Sequence, residues 1–170
     1  MRRLRGFAYA LCATAIATVA WLAPSSAHAA TPVHLKEAEQ NKCLDIRTQD
    51  GVFNPGARLQ RFTCHSVSEQ LWEIVPLGSD VFVLRNPQSQ LCVAVDSADF
   101  GVQVVERACI DSNLGVKWFT TGGIPFVKGS GFNQVHSVLA SGSCLDTLGS
   151  FAKIFPCAGL DNKAQLWEPV

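Results

Sequence analysis

Three copies of one layout run through this 170-residue chain, and their spacing limits what it can fold into. The first copy opens on Lys42-Cys43-Leu44-Asp45, passes through a turn-rich middle to Leu59-Gln60-Arg61-Phe62-Thr63-Cys64, and closes on Gln70-Leu71-Trp72. In the second, Cys92-Val93-Ala94 leads to Cys109 and Trp118. In the third, Cys144-Leu145-Asp146 leads to Cys157 and Gln165-Leu166-Trp167. First cysteines recur after 49 and 52 residues, and tryptophans after 46 and 49. No single unit of this size can bury its apolar face alone, so the three must share a core.

Residues 1–29 stand apart from the repeat and read as a secretory signal peptide. Arg2, Arg3 and Arg5 form a basic start, an almost wholly apolar run follows, and Ala27-His28-Ala29 has the small-x-small pattern of a signal-peptidase site. The apolar run is short for a membrane span of about 20 residues, so the expectation is export and no membrane insertion. Residues 30–40 read as a lead-in and 41–170 as one domain, with units at about 41–86, 87–133 and 134–170. Without the three leader arginines, 11 basic side chains face 14 acidic ones, and no basic cluster exists. That argues against nucleic acid as a partner.

Removing Cys12 with the leader leaves six cysteines. An even number in an exported chain points to disulfides rather than to metal ligands or catalytic thiols. Six cysteines allow 15 pairings, and the repeat favours one of them: Cys43–Cys64, Cys92–Cys109 and Cys144–Cys157.

Between these landmarks the chain alternates as β-strands do, in Trp72-Glu73-Ile74-Val75, Val81-Phe82-Val83-Leu84 and Val102-Gln103-Val104-Val105. Turn formers such as Asp50-Gly51, Asn54-Pro55-Gly56 and Asn86-Pro87 separate the pieces. No window sustains a helical period. The fold class is therefore all-β with threefold repetition. The recurring tryptophans read as core fillers, and the glutamine two residues before each as a bonder of nearby backbone. Val116 replaces that glutamine in the second unit, which should be less tightly tied.

Cys-Leu-Asp, Leu-Gln-x-Phe-x-Cys and Gln-Leu-Trp, repeated in register over residues 33–170, resemble the ricin B-type lectin family. The resemblance implies a β-trefoil of three pseudo-repeats of four strands, disulfide-linked, with six strands in a short barrel and six in a cap. It also implies shallow sugar sites. In each, the aspartate accepts hydrogen bonds from sugar hydroxyls and the aromatic two residues before the second cysteine stacks on the pyranose. A residue before Gln-x-Trp, often asparagine, adds contacts. Such pairing of a carboxylate with an aromatic plate suits a ligand with several donors and one C–H face.

Carried onto this chain, the first unit supplies Asp45, Gln60, Phe62, Glu69 and Gln70. Glu69 stands where the family often has asparagine, and an ionised glutamate accepts but cannot donate. The second unit has Ala94 and Arg107 in place of aspartate and aromatic, so no sugar site is expected there. The third keeps Asp146 and Phe155, with Ala164 in the asparagine position. Only 9 residues separate its aspartate from its aromatic, against 17 in the first unit. The bland alternatives are a turn-capping carboxylate for Asp45 and a half-buried strand residue for Phe62. On the sugar-site reading, Asp45→Ala should abolish most binding and leave the thermal transition nearly unchanged.

Catalysis finds little support. His34, His65 and His136 remain after the leader, and no His-x-x-His, Gly-x-Ser-x-Gly or phosphate loop is present. His65 reads as an exposed strand-end residue. Asp45 and Asp146 belong to different units, unlike a glycosidase pair about 5–10 Å apart. The expectation is a secreted, non-catalytic module without cofactor or metal, binding glycans, with galactose-type sugars as the family's common ligands. The rival is a protein-interaction trefoil, such as a toxin targeting subunit or an inhibitor, presenting apolar surface on the insertion at 122–132.

Overall fold

The computed structural model describes residues 31–51, 53–121 and 125–170; the signal-peptide reading of 1–29 lies outside them. Among the described residues, every regular element longer than a single 3-10 turn is a strand. The first unit contains β1 (Leu35–Glu37), β2 (Cys43–Ile46), β3 (Leu59–Phe62) and β4 (Glu73–Gly78). The second contains β5 (Val81–Arg85), β6 (Leu91–Ala94), β7 (Val105–Ala108) and β8 (Trp118–Phe119). In the third, β9 (Asn133–Gln134) and β10 (His136–Ser137) are two halves of a first strand interrupted at Val135. They precede β11 (Ser143–Asp146), β12 (Lys153–Pro156) and β13 (Leu166–Pro169). Grouped this way, β1 falls within the stretch that the sequence presents as a lead-in.

Each unit builds an equivalent hairpin: β2 on β3, β6 on β7, and β11 on β12, all antiparallel. The ends of the chain close the structure, because β1 pairs with β13 from Leu35↔Pro169 to Glu37↔Trp167. The three hairpins then meet on the pseudo-threefold axis. Leu59 N–H donates to Val104 O, Val104 N–H to Ala152 O and Ala152 N–H to Leu59 O, each at 2.9 Å. This ring uses backbone groups that would otherwise be orphaned at the hairpin tips. Gln103 Nε2 lies over it, within 3.1, 3.2 and 2.6 Å of the carbonyls of Leu59, Val104 and Ala152.

Trp72, Trp118 and Trp167 are fully buried in one core with Leu44, Val93 and Leu145. Each indole N–H donates to the carbonyl of the residue after its unit's first cysteine: Leu44 at 3.1 Å, Val93 at 2.9 Å and Leu145 at 3.0 Å. Burying an indole leaves one N–H to satisfy, and the fold meets that need the same way three times. The three disulfides are Cys43–Cys64, Cys92–Cys109 and Cys144–Cys157. The chain is thus an all-β, disulfide-linked β-trefoil.

His136 is buried beside the third disulfide. Its ring stacks on Phe119 at 4.9 Å, and Nδ1 lies 3.2 Å from Cys157 Sγ and 3.5 Å from Cys144 Sγ. The two sulfurs are bonded to each other, so neither is a thiolate available to a metal. Burial pushes the His136 pKa down. The native imidazole therefore stays neutral where the unfolded chain's imidazole takes a proton, and stability should fall as pH drops below about 6.5. Buried Asp45 and Glu106, whose pKa values burial pushes up, act in the opposite sense as pH falls. Melting wild type and His136→Gln at pH values on either side of about 6.5 separates the contributions. The wild type should lose more stability on acidification than the variant.

Candidate functional site

Antiparallel pairing in the first hairpin sets Asp45 opposite Gln60 and Cys43 opposite Phe62. Side chains two residues apart share a strand face, so the carboxylate, the amide and the aromatic follow directly from this register. They line a cleft of about 220 Å³ with Thr48, Gln49, His65, Val67, Glu69 and Gln70. Phe62 is 49 % exposed, which leaves its ring open as a plate, and the His65 ring lies 6.1 Å from it. All five candidates from the first unit therefore converge on one surface cleft.

Asp45 is only 6 % exposed and is held by two amides. Gln60 Nε2 donates to Oδ1 at 2.8 Å and Gln70 Nε2 to Oδ2 at 2.9 Å. Each oxygen keeps acceptor capacity beyond its one amide. Burial pushes the Asp45 pKa up; the two amide bonds oppose that push, and the charge of Glu69 adds to it. Gln70 also donates to Thr63 O at 2.9 Å and accepts from His65 N–H at 2.7 Å. The glutamine of Gln-x-Trp thus ties the strand, the His65 loop and the carboxylate together.

That tie corrects the expected behaviour of Asp45→Ala. Removing the carboxylate leaves the buried Gln70 amide and the half-buried Gln60 amide each short of an acceptor, which should cost about 1–3 kcal/mol and lower the melting temperature. The second unit shows the remedy. There, Ala94 and Val116 replace aspartate and glutamine together and pack in one apolar cluster with Val83 and Cys92. Replacing both partners by apolar groups can be nearly neutral, so Asp45→Ala/Gln70→Val should recover most of the lost stability. Thermal melts of the single and double variants check this. The shared loss of both residues in the second unit was the sequence signal for the link.

The wall of the cleft is a 3-10 turn, Thr48–Asp50, followed by Gly51 at φ 85°. Asp50 anchors it, accepting from Arg58 Nε at 2.7 Å, Arg58 Nη2 at 2.8 Å and Arg47 Nη1 at 2.8 Å. The Arg58 guanidinium holds the Asp50 carboxyl well below the usual carboxylate range. Both arginines stack on Phe151 of the third unit, at 5.3 Å for Arg47 and 4.8 Å for Arg58. The shortened third hairpin therefore buttresses the first site.

The equivalent positions elsewhere are differently equipped. In the second unit Arg107, in register with Cys92 as Phe62 is with Cys43, is ion-paired to Asp96 through Nε at 2.9 Å and Nη2 at 2.5 Å. In the third, Asp146 is 2 % exposed. Its Oδ2 accepts from Gln165 at 2.9 Å, while Oδ1 is taken at 2.5 Å by the backbone N–H of Leu148. The short turn thus occupies the oxygen that Gln60 holds in the first unit, and Lys153 stands opposite Asp146 in place of that glutamine. Phe155 is half-buried beside the Gly101 turn, where even a Cβ on Gly101 would sit 3.6 Å from its ring. Thr48, Gln49, His65 and Val67 of the first site lie outside the repeated motif and were not among the residues that the sequence picked out.

Several solved structures share the fold. The designed threefold-symmetric protein ThreeFoil is 21 % identical with a TM-score of 0.67, over 82 % of this chain and 97 % of that one. The Rhizoctonia solani agglutinin is 19 % identical with a TM-score of 0.65, over 87 % of this chain and 99 % of that one. The hemolytic lectin CEL-III is 17 % identical with a TM-score of 0.63, and this chain spans 30 % of its length. A search of curated proteins finds no match. A family model described as ricin-type beta-trefoil lectin domain-like matches residues 20–105, half of the sequence. The chain belongs to the ricin-type β-trefoil lectin domain-like family.

Proposed function

We propose that this protein is a secreted, non-catalytic carbohydrate-binding module whose working site is the first-unit cleft, with galactose-type sugars as its ligands. One observation carries the reading: a half-exposed aromatic plate, Phe62, shares a solvent-open cleft with an amide-held carboxylate, Asp45. The plate suits the C–H face of a pyranose and the carboxylate suits its hydroxyls. The sugar class follows from the family resemblance, and export from the leader-like residues 1–29. Titrating the oxidised protein with galactosides, together with a glycan array, tests the proposal. Saturable binding supports it, and its absence from every glycan overturns it.

A protein partner is favoured by one separate feature. Phe126 of the insertion stacks on Phe82 at 5.2 Å, and with Ile74, Pro76, Pro125 and Val127 it borders an apolar cleft of about 210 Å³. Capture of a protein without competition by glycans would favour that reading.

A further inference from the structure

The first-unit cleft is lined by two carboxylates and a single basic side chain, the imidazole of His65. Of its nine lining residues, Asp45 and Glu69 are acidic and none is lysine or arginine. The nearby guanidinium groups are engaged elsewhere: Arg47 and Arg58 with Asp50, and Arg61 with Glu39. Asp45 has no ion pair among the described residues, both its protein donors being amides, and only His65 favours its ionised form by charge. Glu69 accepts only a serine hydroxyl among its hydrogen-bond donors, Ser68 Oγ at 3.2 Å. Asp45 and Glu69 line the same cleft, so the two carboxylates act on one space.

We infer that this cleft sorts sugars by charge, favouring hexosamines with a free ammonium over neutral hexoses and rejecting sugar acids. The inference rests on the sugar-binding reading above and names its substrate class. A ligand stacked on Phe62 would lie beside two carboxylates, well within the roughly 10 Å over which charges act at 0.1 M salt. Part of that path runs through protein, where attraction and repulsion exceed their values in water. A uronic or sialic acid would bring a third negative charge into the cleft. A 2-amino sugar would bring the complement, with no direct contact required.

The test uses oxidised full-length protein at about pH 7.5. It compares methyl galactoside, methyl galactosaminide and methyl galacturonide by titration calorimetry, at roughly 20 mM and 200 mM salt. The expected order of affinity is amino sugar, neutral sugar, acid, with steps of roughly three- to tenfold at low salt that shrink at high salt. Glu69→Gln removes one charge and should compress the steps between the three ligands. Equal affinities for all three ligands, or steps as large in Glu69→Gln as in the wild type, would overturn charge sorting and leave sugar binding standing. No binding by any of them would overturn both the sorting and the assignment of galactose-type ligands.

Discussion

Phe62→Ala should weaken galactoside binding by roughly 3- to 12-fold while the protein melts as the wild type does. Full coverage of a phenylalanine is worth about 1.5–3 kcal/mol. Phe62 offers 49 % of its surface, so about 0.7–1.5 kcal/mol is at stake, which sets the expected loss. The same exposure makes the substitution mild for the fold, since surface changes outside special features cost within about 0.5 kcal/mol. The contrast with Asp45 is the informative part. Loss of Asp45 removes ligand acceptor and amide support together, so only Phe62 separates binding from folding. Phe155→Ala in the third unit serves as the control, and its affinity should be unchanged. Titration calorimetry with parallel melts decides the matter; retained affinity in Phe62→Ala would remove the plate from the site.

Thiol reduction should have the largest effect on stability. The closed loops span separations of 21, 17 and 13 residues. Each contributes about 3 kcal/mol on the loop-entropy view, and the three differ by only about 0.4 kcal/mol. Together they rival the whole net stability of a typical domain, ~5–15 kcal/mol. Every bridge joins a fully buried first cysteine to a more accessible second one, so a small reductant can reach each. Cys64 and Cys109 are exposed, whereas Cys157 is half-buried beside His136. The first two bridges should open before the third, and denaturant midpoints should collapse once all are open. Mass-resolved thiol labelling alongside denaturation follows both events; a midpoint unmoved by full reduction would contradict the account.

What the sequence disclosed and what it withheld divide along a physical line. Cysteines, tryptophans and Cys-Leu-Asp recur because the same covalent and packing needs arise three times, and repetition makes them visible. Phe62 and Gln60 were legible because strand register fixes their faces relative to Asp45. Thr48, Gln49, His65 and Val67 come from loops whose paths depend on distant support, such as Phe151 beneath Arg58. No local pattern encodes that. Nor does the identity of Asp45 disclose its burial, which follows from the amides closing over it.

The ring on the pseudo-threefold axis constrains how such a protein could be rebuilt. The residues preceding Leu59, Val104 and Ala152 are Arg58, Gln103 and Phe151, three unlike side chains at one symmetric position. One glutamine amide serves all three carbonyls, while the arginine and the phenylalanine stack on each other. Copying the first unit three times to obtain a trivalent binder would put arginine at all three of these positions. It would also remove both the amide and the ring that Arg58 rests on. A multivalent descendant would therefore need a new solution at its centre before any gain at its rim.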